Sequence, residues 1–177
     1  MTATTFIHTS DFQLGMTRWF LKGEAQGRFN DDREAAIVRL GELAKDTGAD
    51  FIVVAGDVFE HNALSREILA RATEMFKRLP VPVYVLPGNH DPLVADSVFY
   101  KASADNVYVI ADSEPIEVAP GVELVGAPYL SKRANHDLVR QALEPLEPAA
   151  GIRIAVGHGQ VDSRSGADDA DTIDLAF

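Results

Sequence analysis

The stretch Phe51-Ile52-Val53-Val54-Ala55-Gly56-Asp57 is an unbroken apolar run closed by a glycine and an acid. It lacks apolar/polar alternation, so it predicts a strand covered on both faces, as in parallel sheets packed between layers. The pattern recurs three times. Thr4 to Thr9 leads into Asp11-Phe12-Gln13, Val81 to Leu86 into Pro87-Gly88-Asn89-His90-Asp91, and Ile152 to Val156 into Gly157-His158-Gly159. Each run reads as a buried strand that delivers hard oxygen or imidazole donors at its end, where open α/β sheets place their ligands.

Helical patterns fill the intervals. After a Gly- and Arg-bearing loop to Asn30, Asp31 with Glu34 resembles a capping box, and Ala36, Ile37, Leu40, Leu43 and Ala44 form an apolar stripe ended by Gly48. Ser65 caps a second helix to about Arg78, and a short helix is expected from Leu93 to Lys101. The result is a βαβαβ alternation. Val107 to Ile110, Pro115 to Val118 and Val122 to Val125 are short strands separated by Asp112-Ser113 and Pro120-Gly121, which predicts an antiparallel or mixed half. Asn135 or Asp137 caps a helix to Leu143 before the last strand.

With 177 residues and 46% hydrophobic content, the chain fits one domain with a real core. Absence of cysteine excludes disulfides and thiolate metal sites and suits a reducing compartment, so a cytoplasmic location is expected. No signal pattern opens the chain, and its apolar runs fall far short of the roughly 18 residues of a membrane span, so no membrane association is expected. The net charge of −11 opposes tight nonspecific binding of nucleic acid by this segment alone. Bound cations offset only part of it, so a polyanionic substrate requires a basic rim or another domain.

Side chains two apart on a strand share a face, so Asp11 and Gln13 can serve one metal, with Asp57 from the neighbouring strand as a bridge to a second. Asn89 offers an amide oxygen and His158 a ring nitrogen to that second cation. His90 is then free to protonate or stabilise a leaving alkoxide, with Asp91 to orient and charge it. Each stretch alone is an ordinary turn; their joint occurrence carries the weight. In the loop after the first strand, Arg18, Trp19, Lys22 and Arg28 can grip phosphate and stack on a base, with a solvated loop around one packed Trp as the even alternative. His61 can approach the substrate. The acidic tail with Asp162, Asp168, Asp169, Asp171 and Asp174 lacks calcium-loop spacing and reads as a solvated segment.

These residues resemble the calcineurin-like metallophosphoesterases, whose pattern is Asp-x-His, Gly-Asp, Gly-Asn-His-Asp/Glu and a later Gly-His; the resemblance covers positions 4 to 160. More narrowly, His8 to Gly15, Ala55 to Glu60 and Pro87 to Asp91 are similar to the SbcD-type DNA repair nucleases. The resemblance implies a four-layer αββα sandwich with two mixed sheets and two divalent metal ions, commonly manganese. It also implies exonucleolytic or endonucleolytic hydrolysis of DNA phosphodiesters, homodimerisation and an SbcC-type ATPase partner. By position, Asp11 and Gln13 serve one metal, Asp57 both, and Asn89 with His158 the other, while His90 is the non-ligating catalytic histidine.

Two departures stand out. Gln13 occupies a histidine position, and the family's further histidine segment after Gly-His is absent, so residues 1–177 are expected to be a nuclease domain incomplete at its C-terminus. Gln13 has an amide oxygen that magnesium or manganese accepts, but no second ring N–H to lock its orientation, so the Asp11/Gln13 metal is predicted to bind more weakly. Two alternatives stay open: a phosphodiesterase or phosphatase for nucleotides and other small phosphoesters, and a metal-poor degenerate subunit that docks a partner.

Overall fold

A computed structural model describes residues 3–102, 104–161 and 172–175. Most of the acidic tail, including Asp162, Asp168, Asp169 and Asp171, lies outside the described residues. Two sheets stack face to face. The first has the order β1 (Phe6–Thr9), β2 (Phe51–Ala55), β3 (Val83–Leu86), β4 (Val107–Val109), all parallel. The second pairs β5 (Ile116–Ala119) antiparallel to β6 (Val122–Gly126), and β6 parallel to β7 (Ile152–Val156).

Strand alternation sorts the core into layers. Ile52, Val54, Val83 and Val85 face helices α1 (Ala25–Thr47) and α2 (Arg66–Phe76), against Ile37, Ala44, Leu69, Ala72 and Phe76. The alternate residues Phe51, Val53, Ala55, Tyr84 and Leu86 meet Leu124 and Val156 of the second sheet. Beyond that sheet, Val125 and Ala127 pack on Ala142 of α3 (Leu138–Leu143). The order is helix, sheet, sheet, helix, as expected for a four-layer sandwich. Complete burial of β2 explains its continuous apolar run.

Local differences from the sequence expectations have identifiable causes. α1 begins at Ala25, not Asp31. Gln26 ties its first turn to the preceding loop, its Oε1 accepting from Arg18 N and its Nε2 donating to Met16 O and Asn30 Oδ1, while Glu34 pairs with Arg71 at 2.9 Å instead of closing a cap. Arg28 therefore belongs to the helix rather than the loop. The buried stripe is Ile37, Gly41 and Ala44; Leu43 falls outside it and is exposed. Ser65 and Gly48 cap as read, Ser65 Oγ accepting from Ile68 N and Gly48 turning left-handed at φ 64°. The helix expected from Leu93 to Lys101 contracts to one 3-10 turn, Val98–Tyr100, held by Asn62 Oδ1 on Val98 N. β4 joins the parallel sheet rather than a meander, registering Val107 on Val83.

Candidate metal centre

Every parallel strand of the first sheet, together with β6 and β7, ends on one edge, and Asp11, Asp57, Asn89 and His158 of the predicted donors gather there. Past its strand end, the segment after β1 zips onto the segment after β2: Asp11 N donates to Gly56 O (3.1 Å), Gln13 N to Asp57 O (2.8 Å), Leu14 N to Val58 O (2.9 Å) and Glu60 N to Leu14 O (3.0 Å). Asp11, Gln13 and Asp57 all adopt positive φ, at 56°, 43° and 53°. Non-glycine residues in this region are uncommon and cluster where function holds them. Strand alternation therefore does not set the direction of Asp11 and Gln13, since β1 has already ended at Thr9 and both residues stand in left-handed backbone.

Two glycines make the convergence possible. A Cβ on Gly56 would lie 2.2 Å from His158 Cγ, and one on Gly88 2.2 Å from Asp57 Oδ1. Gly-Asp and Gly-Asn-His thus carry glycine because a donor from a neighbouring strand packs directly on its Cα.

One donor atom each from Asp11, Asp57 and His158 lie within 4.8 Å of one another. His158 Nδ1 donates to Ala55 O at 2.8 Å, which turns Nε2 inward, 3.4 Å from Asp57 Oδ2 and 3.1 Å from Asn89 Oδ1. With Nδ1 carrying the hydrogen, a neutral His158 directs its Nε2 lone pair at two oxygens. Such a gathering of acceptors fits a cation. Burial would lower the pKa of His158, but its hydrogen bond to Asp57 and that carboxylate's charge prevail and raise it. Burial likewise pushes Asp57 up, yet His158, the backbone N–H of His90 and the two imidazoles hold it below the usual carboxylate value. Asp57 is 3% exposed and Oδ1 accepts from His90 N at 3.0 Å, so its orientation is fixed.

His90 sits at the rim, its side chain 40% exposed, with Nδ1 donating to Glu60 O at 3.1 Å and Nε2 4.0 Å from Asp57 Oδ2. The expected orienting contact from Asp91 is not made. Asp91 is fully buried, Oδ2 accepting from Phe59 N (2.9 Å) and Oδ1 from Gly88 N (2.8 Å), so it clamps the loops after β2 and β3 together. Burial raises its carboxyl to about 6 despite those two amides, and the Asp57 charge adds to the rise. The residue beside the His90 ring is Glu60, with Oε1 3.9 Å from Nδ1 and Oε2 buried without a hydrogen-bond partner among the described residues. It stood in the Ala55 to Glu60 stretch, but only tertiary contact could reveal its place.

Arg33 is a second residue missed in the sequence. Its Nη1 donates to Gln13 O at 2.6 Å and its guanidinium lies 4.6 Å from the Phe29 ring centroid, bracing the Gln13 peptide from α1. Arg18 is exposed near this loop, and His61 accepts from Ala63 N through Nδ1 in a local exposed turn. Trp19 is 93% exposed, which sets aside the alternative of a packed Trp, and makes an edge contact with exposed Phe20.

A four-layer α/β/β/α sandwich with carboxylate, amide and imidazole donors converging on the carboxyl ends of its strands has the build of a metal-dependent phosphoesterase. The chain belongs to the calcineurin-like phosphoesterase family, whose model matches residues 4–175. It is similar to the DNA double-strand break repair protein Mre11 of Archaeoglobus fulgidus, 32% identical over 98 residues, covering 54% of this chain and 21% of that protein. It is also similar to the SbcD component of the nuclease SbcCD of Bacillus subtilis, 27% identical over 162 residues, covering 85% of this chain and 32% of that protein. The chain thus spans a third or less of the length of these curated relatives. No helix among the described residues is long and apolar enough to cross a membrane.

Proposed function

We propose that this chain hydrolyses DNA phosphodiester bonds with two divalent cations, manganese in the first place, as the nuclease domain of an SbcD-type repair enzyme working in the cytoplasm. The observation that carries the proposal is the convergence of Asp11, Asp57 and His158, with the Asn89 oxygen against the same imidazole nitrogen. Asp11, Gln13 and Asp57 would hold one cation, and Asp57, Asn89 and His158 the other. When bound, such ions polarise the phosphoryl group and activate water. His90, oriented through Nδ1 by Glu60 O, turns Nε2 toward the site and stabilises or protonates the departing alkoxide. Asp91 acts through the loops it clamps. Arg18 and the exposed Trp19 receive the nucleic acid at the site mouth, with His61 at its margin. The names of the two relatives, one a DNA double-strand break repair protein and the other a subunit of the nuclease SbcCD, favour DNA as the substrate; assembly with an SbcC-type ATPase and with a second copy of the chain belongs to the same proposal.

The net charge of −11 favours a second reading, a phosphodiesterase or phosphatase for small phosphoesters. Turnover with manganese on a DNA duplex and on bis(p-nitrophenyl) phosphate separates the two. Cleavage of DNA supports the nuclease; cleavage of the small ester alone supports the second reading; cleavage of neither leaves a metal-poor docking protein.

A further inference from the structure

A cavity of about 410 Å³ opens beside the metal centre, within the size range of small-molecule sites. Its walls are the segments that follow β4 and β6, Ala111 to Ser113, Ala127 to Ser131 and Arg133 to His136, with Leu138 and Gln141 of α3. Both strands run in the same direction as those that carry the donors, so the cavity lies along the same edge. Tyr129 forms the partition. It is 5% exposed, its ring centroid lies 6.1 Å from that of His158, and its backbone is pinned by Tyr129 N donating to Pro87 O (3.1 Å) and Leu93 N donating to Tyr129 O (2.8 Å). The metal centre and the cavity therefore share one rigid wall.

The lining divides by chemistry. Ala111, Ala127, Pro128 and Leu138 supply apolar lining. His136 engages the carboxamides of Asn135, through Nδ1 at 2.6 Å, and Gln141, through Nε2; a neutral imidazole donates through one nitrogen and accepts through the other, so the pair presents both amide donors and amide acceptors to the cavity. Arg133 adds a permanent cation, while the Asp112 carboxylate is drawn into its own turn by accepting from Glu114 N at 3.0 Å. Apolar side chains for a planar ring, carboxamides for its hydrogen-bonding edge and one guanidinium for a phosphate describe a nucleotide subsite. Resting on the phosphoesterase reading, the geometry points to this cavity as the site that takes one nucleotide unit, a base with its phosphate, next to the scissile phosphate. It supplies the local positive group that a chain of net charge −11 needs to hold a polyanion.

The test needs no turnover. The full chain, kept in EDTA, is titrated with deoxycytidine monophosphate and with a single-stranded phosphorothioate pentanucleotide, followed by backbone amide NMR. Shifts in residues 111–113 and 127–141 are expected, and the dissociation constant should rise about tenfold in Arg133→Ala and in Ala134→Trp, which fills the cavity. Circular dichroism confirms that both variants keep the fold. A tighter oligonucleotide than mononucleotide identifies the ligand as a unit of a strand; equal or tighter mononucleotide identifies a free nucleotide. Unchanged affinity in both variants, or shifts confined to the metal centre, overturns the subsite. Failure of the phosphoesterase reading shows separately, as absent manganese-dependent turnover of bis(p-nitrophenyl) phosphate by the unmodified chain.

Discussion

Asp57 Oδ2 and His158 Nε2 lie 3.4 Å apart although Asp57 closes β2 of the first sheet and His158 closes β7 of the second. The contact joins the carboxyl edges of the two sheets at the point where a shared cation would take one ligand from each. Asp57→Asn and His158→Ala should each weaken manganese binding by more than the roughly 10–100-fold typical of losing an outer-sphere partner. Isothermal titration calorimetry reads this directly, and retained affinity in both variants would remove these residues from the ligand set.

Gln13 supplies a carboxamide where the family pattern has an imidazole. Manganese titration of the native chain should resolve two unequal steps, and Gln13→His should strengthen the weaker one, because an imidazole can be oriented through its second nitrogen. Two equally tight steps in the native chain contradict the proposed weakness of the Asp11 side.

His90 offers Nε2 to the site while Nδ1 is engaged by Glu60 O. His90→Ala should lower kcat by about 10²–10⁴-fold, the usual worth of a positioned acid or base, with manganese affinities nearly unchanged. Turnover at the native rate would end the assignment.

Asp91 satisfies two buried amides, and Asp91→Ala should cost about 2–5 kcal/mol because Phe59 N and Gly88 N then lose their acceptors. Its carboxyl is raised by burial to about 6, above the ordinary 3.8. A raised folded-state pKa contributes stability that is full below about pH 4 and lost as pH rises through 6. In EDTA, the native chain should therefore gain stability relative to Asp91→Asn on acidification from pH 7 to 4. Denaturant melts across that window measure the difference, and a flat difference refutes the protonation argument.

Trp19 is 93% exposed, and a base stacked on it would be worth about 1–3 kcal/mol. Trp19→Ala should weaken binding of single-stranded DNA accordingly while leaving hydrolysis of bis(p-nitrophenyl) phosphate intact. Equal DNA affinity in fluorescence anisotropy would return the loop to mere solvation.

The central strands β2 and β3 were legible because full burial on both faces leaves an unmistakable apolar run, as in Phe51 to Ala55, whereas β1 and β7, also read as buried, stand at sheet edges and are partly exposed. The caps at Ser65, Asp137 and Gly48 were legible because capping is local chemistry. The start of α1 was not, since Gln26 secures it through contacts with Met16 and Arg18 that no local pattern encodes. Nor was the pairing of β4, because register on β3 depends on partners distant in the chain.

By itself the sequence determined which donors exist and that each follows a strand end: Asp11, Asp57, Asn89 and His158 are hard ligands at fixed places along the chain. Only the tertiary structure decided their roles. Stacking two sheets brings His158 against Asp57, left-handed turns at Asp11, Gln13 and Asp57 aim the loops, and burial diverts Asp91 from His90 to backbone amides while Glu60 takes its place. The physical reason is that a side chain's chemistry is carried by its own atoms, whereas its partners are chosen by long-range packing, which competes with and can override any neighbour in sequence.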